Sequence, residues 1–198
     1  DYNDLLDCGI IDLVVVAVPH YSHPTIAIEA FKKGHNVLVE KPFARSRYEC
    51  DNLIRIAKKN NLMLAVFQQT FFAPYYEGLL EVIKSGKLGE IKQVDITFSN
   101  LARRWDWQTL QRKVAGGLYN TGPHPVALGL GLIDFDPNYK VVYSKLDRLL
   151  TSGDSDDCAK LVLKAPGKPL VDIEVNAVDA FGSDYTFKIF GSKGTLQS

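Results

Sequence analysis

Three short stretches carry residue types that can do acid–base or binding chemistry. The first is Glu40-Lys41-Pro42, at the end of the apolar run Val37–Val39. Pro42 has no N–H and a fixed φ, so the chain must turn there. Lys41, just before it, is biased toward an extended conformation. An acid and a base are thereby held at the carboxyl end of a buried strand, the edge where open α/β sheets bind ligands. Taken alone, the tripeptide also reads as a strand ending in two solvated charges. The second stretch is AGGLYNTGPHPVALGL, 115–130. Gly116 and Gly117 allow a sharp turn or a close backbone approach. Asn120 and His124 are four apart and share a face if a helix reaches back that far. Pro123 and Pro125 place the regular helix start near Gly122, with Asn120 on the preceding turn. His124 is the side chain type that titrates near neutral pH, which suits a general base; a cap at a crowded helix start is the plainer alternative. The third stretch is ARRWDWQ, 102–108. Arg103, Asp106 and Trp107 suit a sugar, because an indole face covers C–H patches while Arg and Asp bond hydroxyls. A loop anchored by two tryptophans explains the same residues.

The elements that position these residues follow from periodicity. Asp4–Cys8 reads as the end of a short helix stopped by Gly9. Leu13–Val18 is a β-branched run, the pattern of a strand covered on both faces of a parallel sheet, and Pro19 ends it. Pro24 fits the first turn of a helix with Ser22 or His23 as cap; Ile26, Ala27, Ala30 and Phe31 keep helical spacing up to Gly34. A second strand, His35–Val39, leads to Glu40-Lys41-Pro42. Ser46 and Glu49 form a capping box for a helix to about Asn60. A third strand, Leu62–Phe67, completes β-α-β-α-β, one half of a doubly wound domain. No G-x-G-x-x-G follows a strand. The expectation is therefore a fragment of a longer chain, or a second chain covering the apolar edge at Leu13–Val18. Gly129 and Gly131 lie in LGLGL, where helical packing explains them.

The predicted boundary lies near Phe72, giving a partial dinucleotide-binding domain over 1–72 and an α/β domain over 73–198. Pro74 opens a helix ending at Gly86. Beyond Gly89 the period becomes two: Val94/Ile96/Phe98, Leu161/Leu163, Val171/Ile173/Val175 and Tyr185/Phe187/Ile189 alternate with polar residues. Such strands bury one face, as in an antiparallel sheet. The fold class is α/β: a partial doubly wound parallel (Rossmann) sheet, then an α+β domain with an open, mostly antiparallel sheet. The open face is a candidate oligomer interface.

Composition narrows the function classes. The 198 residues are 46% hydrophobic and 23% charged, with zero formal net charge. This is ordinary globular composition, and the charge balance argues against a nucleic-acid partner. No apolar run approaches a membrane span of ~20 residues. Cys8, Cys50 and Cys158 show neither CxxC nor metal-site spacing and read as isolated thiols of a cytoplasmic protein, with no metal site.

Taken together, AVPHYSH (17–23), EKP (40–42), VFQQTFFAP (66–74) and GG…N-x-G-x-H (116–124) resemble the Gfo/Idh/MocA family of NAD(P)-dependent oxidoreductases acting on sugars and cyclitols. Their order and separations match over nearly the whole chain. The resemblance implies an N-terminal Rossmann fold, NAD or NADP as cofactor, and a C-terminal domain whose sheet mediates homo-oligomerisation. It also implies that the first Rossmann strands and the glycine loop are missing and that the C-terminus is short. The family's catalytic lysine falls on Lys41 and its histidine on His124. Its aspartate four residues before that histidine falls on Asn120, another aspartate on Ala127, and an arginine after the third strand on Thr70. Asn120 can orient a group but carries no negative charge. For the cofactor, the resemblance points to Pro19, His20, His23, Glu40, Lys41 and Gln69; for the substrate, to Asn120 and His124 beside Arg103, Asp106 and Trp107. The implied reaction is hydride transfer between nicotinamide and a secondary alcohol, with Lys41 and His124 facing one cleft. A non-catalytic sugar- or nucleotide-binding protein is the alternative, and a chain without the glycine loop is expected to bind the cofactor poorly.

Overall fold

The structure is a computed structural model describing residues 1–198. Its contacts divide the chain into two compact units, Asp1–Gln68 and Gln69–Ser198.

The first unit is a three-stranded parallel sheet. Its strands are β1 (Leu13–Val16), β2 (Asn36–Glu40) and β3 (Leu64–Phe67), in the order β1-β2-β3. Val16 lies opposite Val39, and Val39 opposite Val66. Helix α1 (Tyr2–Leu6) precedes the sheet; α2 (His23–Lys32) and α3 (Arg47–Lys59) are the crossovers. Ala27, Ala30, Phe31, Leu53 and Ala57 from the crossovers pack with Val14, Val16, Val37 and Val39 into one core. The small side chains at 27, 30 and 57 let the helices lie close to the sheet.

Three local expectations need correction. First, β1 is covered on one face: Val14 and Val16 are buried, but Leu13 and Val15 are 40% and 56% exposed. A continuous β-branched run did not imply cover on both sides. Second, Ser22 occupies the N-cap of α2, but its side chain makes no capping bond. Its backbone is helical, since the preceding turn His20–Ser22 runs straight into the helix. Third, the capping box of α3 is half made. Glu49 N donates to Ser46 Oγ at 3.3 Å, while the Glu49 carboxylate accepts from Arg45 N and its guanidinium instead of returning to Ser46. A charged partner draws the carboxylate more strongly than a neutral amide.

The second unit is a six-stranded mixed sheet in the order β5-β6-β7-β4-β8-β9. Its strands are β4 (Ile91–Ser99), β5 (Lys140–Asp147), β6 (Cys158–Lys164), β7 (Leu170–Asn176), β8 (Phe187–Gly191) and β9 (Thr195–Gln197). The alternating segments suggested antiparallel pairing, yet β4 and β7 run parallel. A period of two is common to both arrangements, so periodicity could not separate them. One face carries Val94, Ile96, Val171, Ile173, Phe187 and Ile189, packed against Tyr76 and Leu79 of α4 (Pro74–Lys84) and Leu128 of α6 (Pro123–Leu132). The short helix α5 (Gly117–Asn120) precedes α6. Lys160 on the opposite face pairs with Asp172 at 2.7 Å.

The two glycines of LGLGL are packing positions. A Cβ at Gly129 would lie 2.9 Å from Val171 Cγ1 and 3.2 Å from Ile173 Cδ1; one at Gly131 would lie 2.7 Å from the Tyr76 hydroxyl. Helix α6 therefore approaches the sheet more closely than any side chain at 129 allows. Gly129→Val should cost about 1–3 kcal/mol of unfolding free energy through overpacking. Gly78 of α4 has nothing within 4 Å of its virtual Cβ. Gly78→Ala should instead gain about 0.5–1 kcal/mol. Urea denaturation of both variants checks the contrast; equal effects would contradict it.

Candidate active site

In the first unit, parallel pairing places the carboxyl ends of β1 and β2 on one edge, and the turns after these strands carry most of the predicted cofactor residues. Pro19 is extended and opens the turn His20–Ser22. The His23 ring is fully buried, and it meets the buried His20 ring edge-on at 5.8 Å. His23 Nε2 lies 2.9 Å from Val18 O, and its Nδ1 lies 2.9 Å from Pro42 O. One imidazole thus ties the turn after β1 to the turn after β2. Its side chain faces inward, holding backbone. A neutral imidazole has one N–H, so it donates to one of the two carbonyls at a time.

At the end of β2 the Lys41–Pro42 peptide is cis. Lys41 N donates to Glu40 Oε2 at 3.0 Å, folding the Glu40 carboxylate onto the turn. Lys41 is half-buried and Pro42 buried. Pro19, His20, His23, Glu40 and Lys41 are therefore gathered on two neighbouring turns. Gln69 is exposed and opens the turn Gln69–Phe72 of the second unit. The donor set suits part of a dinucleotide: an ammonium, a carboxylate and main-chain groups at a parallel sheet's carboxyl edge. The chain offers no glycine-rich strand-to-helix turn for a pyrophosphate.

In the second unit, Arg103, Gln108, Asn120, Ser155, Asp156 and Asn176 are among the residues enclosing a cavity of about 120 Å³. Asn120 Nδ2 donates to Gln108 O at 3.2 Å, joining α5 to the turn Trp107–Thr109. The His124 ring stacks on Phe98, with centroids 6.5 Å apart and planes at 17°. Phe98 lines the cavity. Arg103 and Asn120 thus line this cavity, and His124 backs one wall of it. Asp106 lies outside the lining and caps the turn, its Oδ1 accepting from Gln108 N at 2.8 Å. Trp107 begins that turn and is half-buried, while Trp105 is 84% exposed.

Sequence reasoning missed Ser155, Asp156 and Asp157. All three are buried. The Asp157 carboxylate accepts three main-chain N–H groups, from Leu149, Leu150 and Thr151, at 2.6–2.8 Å. Asp156 Oδ2 accepts from Leu118 N at 2.7 Å, and its main-chain oxygen accepts from Gly117 N at 2.7 Å. Gly116 has φ +116°, and a Cβ there would fall 2.3 Å from Asp156 Oδ1. The Gly116-Gly117 pair is needed because this carboxylate lies against it. In sequence, SGDSDD reads as a polar loop, and no local signal marks its burial.

Burial pushes the Asp156 carboxyl above the usual range, opposed by the Leu118 N–H. The folded state then holds this proton more tightly than the unfolded state. Stability from Asp156 is fully present below the ordinary aspartate value of about 3.9 and is lost as pH rises through the raised value. Asp156→Asn removes this titration while its amide oxygen can still accept from Leu118. The stability of the variant relative to the parent should rise as pH increases from about 4 through the raised Asp156 value, and then level off. Urea unfolding across that range tests the sign; a difference that falls with pH would refute it.

Residues 1–68 match an oxidoreductase family with an NAD-binding Rossmann fold, and residues 76–197 match the GFO/IDH/MocA C-terminal domain. An uncharacterised oxidoreductase of Schizosaccharomyces pombe is 29% identical over 98% of this chain and 54% of its own length. The dTDP-3,4-didehydro-2,6-dideoxy-alpha-D-glucose 3-reductase of Streptomyces antibioticus is 24% identical over 98% of this chain and 58% of its own. The crystal structure of GenD2, from gentamicin A biosynthesis and in complex with NAD, superposes with a TM-score of 0.90 at 24% identity, covering 100% of this chain and 57% of that one. The chain spans about half the length of the curated relatives it matches. The parallel three-stranded unit, the mixed six-stranded unit and both family matches place this chain in the GFO/IDH/MocA oxidoreductase family.

Proposed function

We propose that the full-length protein is an NAD(P)-dependent dehydrogenase that transfers hydride between nicotinamide and a secondary alcohol of a sugar or cyclitol. The observation that carries this reading is Lys41, held at the carboxyl end of β2 on a turn that the buried His23 ties to its neighbour. Family relatives support the substrate class, among them the Streptomyces reductase and an inositol 2-dehydrogenase of Salmonella. The nicotinamide, when bound, supplies the hydride acceptor or donor. Pro19, His20, His23, Glu40, Lys41 and Gln69 are the residues that would hold or support it. The Lys41 ammonium donates to the reacting oxygen and stabilises negative charge developing there. His124 takes the hydroxyl proton as general base. Asn120 orients the substrate, Arg103 bonds it, and Asp106 and Trp107 shape the turn beside it. The three cysteines are free thiols, and the reading places the protein in a reducing cytoplasm.

A non-catalytic binding protein is the second reading, favoured by Asn120 and Ala127 where the family has aspartates. A nicotinamide absorbance assay over a sugar panel separates the two, since a binder saturates without redox change. Lys41→Ala in the full-length protein should lower turnover at least about a hundredfold, roughly 2.7 kcal/mol of barrier; near-normal turnover would reject its assignment.

The reading includes self-association through the six-stranded sheet. Edge strand β5 leaves Val141, Val142, Tyr143 and Leu146 each about half exposed, at 50–53%. An apolar edge of this length invites pairing. No helix is long and apolar enough to cross a membrane. Val142→Lys with Leu146→Lys should shift sedimentation toward monomer; an unchanged oligomer would remove β5 from the interface.

A further inference from the structure

We infer that the cavity of the second unit takes a sugar acid, with Arg103 receiving its carboxylate. The inference rests on reading this cavity as the sugar-holding part of the proposed site, and names the substrate class more narrowly. It follows from sorting the charged groups of the cavity by what already satisfies them. The two acids in its lining are engaged by main chain: Asp157 by three N–H groups and Asp156 by Leu118 N. Arg104 is shared with Asp106, 3.7 Å away. The Arg103 guanidinium lines the same cavity, is exposed, and is engaged by no carboxylate of the chain. Arg103 is thus the charged group of the lining left without a partner in the chain, next to the neutral amides of Gln108, Asn120 and Asn176.

A second observation points to a ligand independently. Ser155 is 1% exposed and lines the cavity, and its Oγ has no hydrogen-bond partner in the protein. A buried hydroxyl left unsatisfied costs about 1–3 kcal/mol, which a bound oxygen would relieve. An unpaired guanidinium fork, a buried hydroxyl and three carboxamides match a polyhydroxylated ring bearing one carboxylate. The fork accepts a carboxylate through two parallel N–H···O bonds. A neutral sugar would leave the guanidinium unmatched; a phosphorylated sugar could also engage the fork, and the titration below separates the two anions.

The test is calorimetric titration of the protein, without nicotinamide, with D-glucuronate, D-glucose and D-glucose 6-phosphate. D-glucuronate should bind at least about tenfold tighter than D-glucose, a difference of ~1.4 kcal/mol. Arg103→Gln should bring these two sugars within about twofold of each other. Ser155→Ala should weaken both by a similar factor, and its thermal melt should stay at or above that of the parent. Equal affinities, absence of saturable D-glucuronate binding, tighter binding of the 6-phosphate, or a preference that survives Arg103→Gln would each overturn the assignment. Because no hydride transfer is measured, an inactive result in the nicotinamide assay leaves this inference standing, and its own failure leaves the redox reading to that assay.

Discussion

Two adjacent carboxylates, Asp156 and Asp157, enter the protein interior just before β6, and the second unit's candidate site is built on their burial. A carboxylate leaves water at high cost unless N–H groups replace its hydration. The chain meets that demand from two directions. The segment 149–151 wraps its amides around Asp157, and the start of α5 offers Leu118 N to Asp156. Gly117 N adds a bond to the Asp156 main-chain oxygen. Satisfying these two charges brings the 149–157 loop and the start of α5, 38 residues apart at the Leu118–Asp156 bond, to one place. The walls of the cavity are their by-product, and a cavity defined by fixed main-chain geometry is preorganised for a ligand.

The first unit solves a similar problem with an imidazole ring. His23 is completely buried, yet it sits between Val18 O and Pro42 O, two carbonyls on different turns. Those turns follow the first two strands and hold Pro19, Glu40 and Lys41. A side chain at the start of α2 therefore sets the backbone from which the candidate catalytic lysine projects. In both units the residues predicted to do chemistry lie beside a buried polar group whose hydrogen bonds go to backbone.

This explains what the sequence could and could not disclose. Strands β1 to β3 and the crossover helices were legible because each is a local apolar period; Pro19, Gly34 and Pro42 close β1, α2 and β2. The Lys41 turn was legible because Pro42 dictates it. The His124 helix start was legible because Pro123 and Pro125 do the same. Strand β5 was not: its register shifts between Val141 and Tyr143, so alternation fails over KVVYSKLD. The parallel register of β4 with β7 was hidden because both pairings share one period. Ser155–Asp157 was hidden for a different reason. Polar residues in a loop look solvated unless the amides that replace water are known, and those amides lie at Leu118 and 149–151.

Asn120, the departure from the family pattern, has a local physical reason. Its amide nitrogen donates to Gln108 O at 3.2 Å and thereby joins α5 to the turn that Asp106 caps. An aspartate at this position would set a carboxylate oxygen against that carbonyl, acceptor against acceptor, in a half-buried setting where the repulsion is poorly screened. The turn would then have to move, and Gln108 with it, although both shape the cavity beside Arg103. The asparagine is thus specified by the loop opposite it. What the site loses is a negative charge near the candidate base. What it keeps is an amide fixed by Gln108 O, in the same cavity lining as the Arg103 guanidinium.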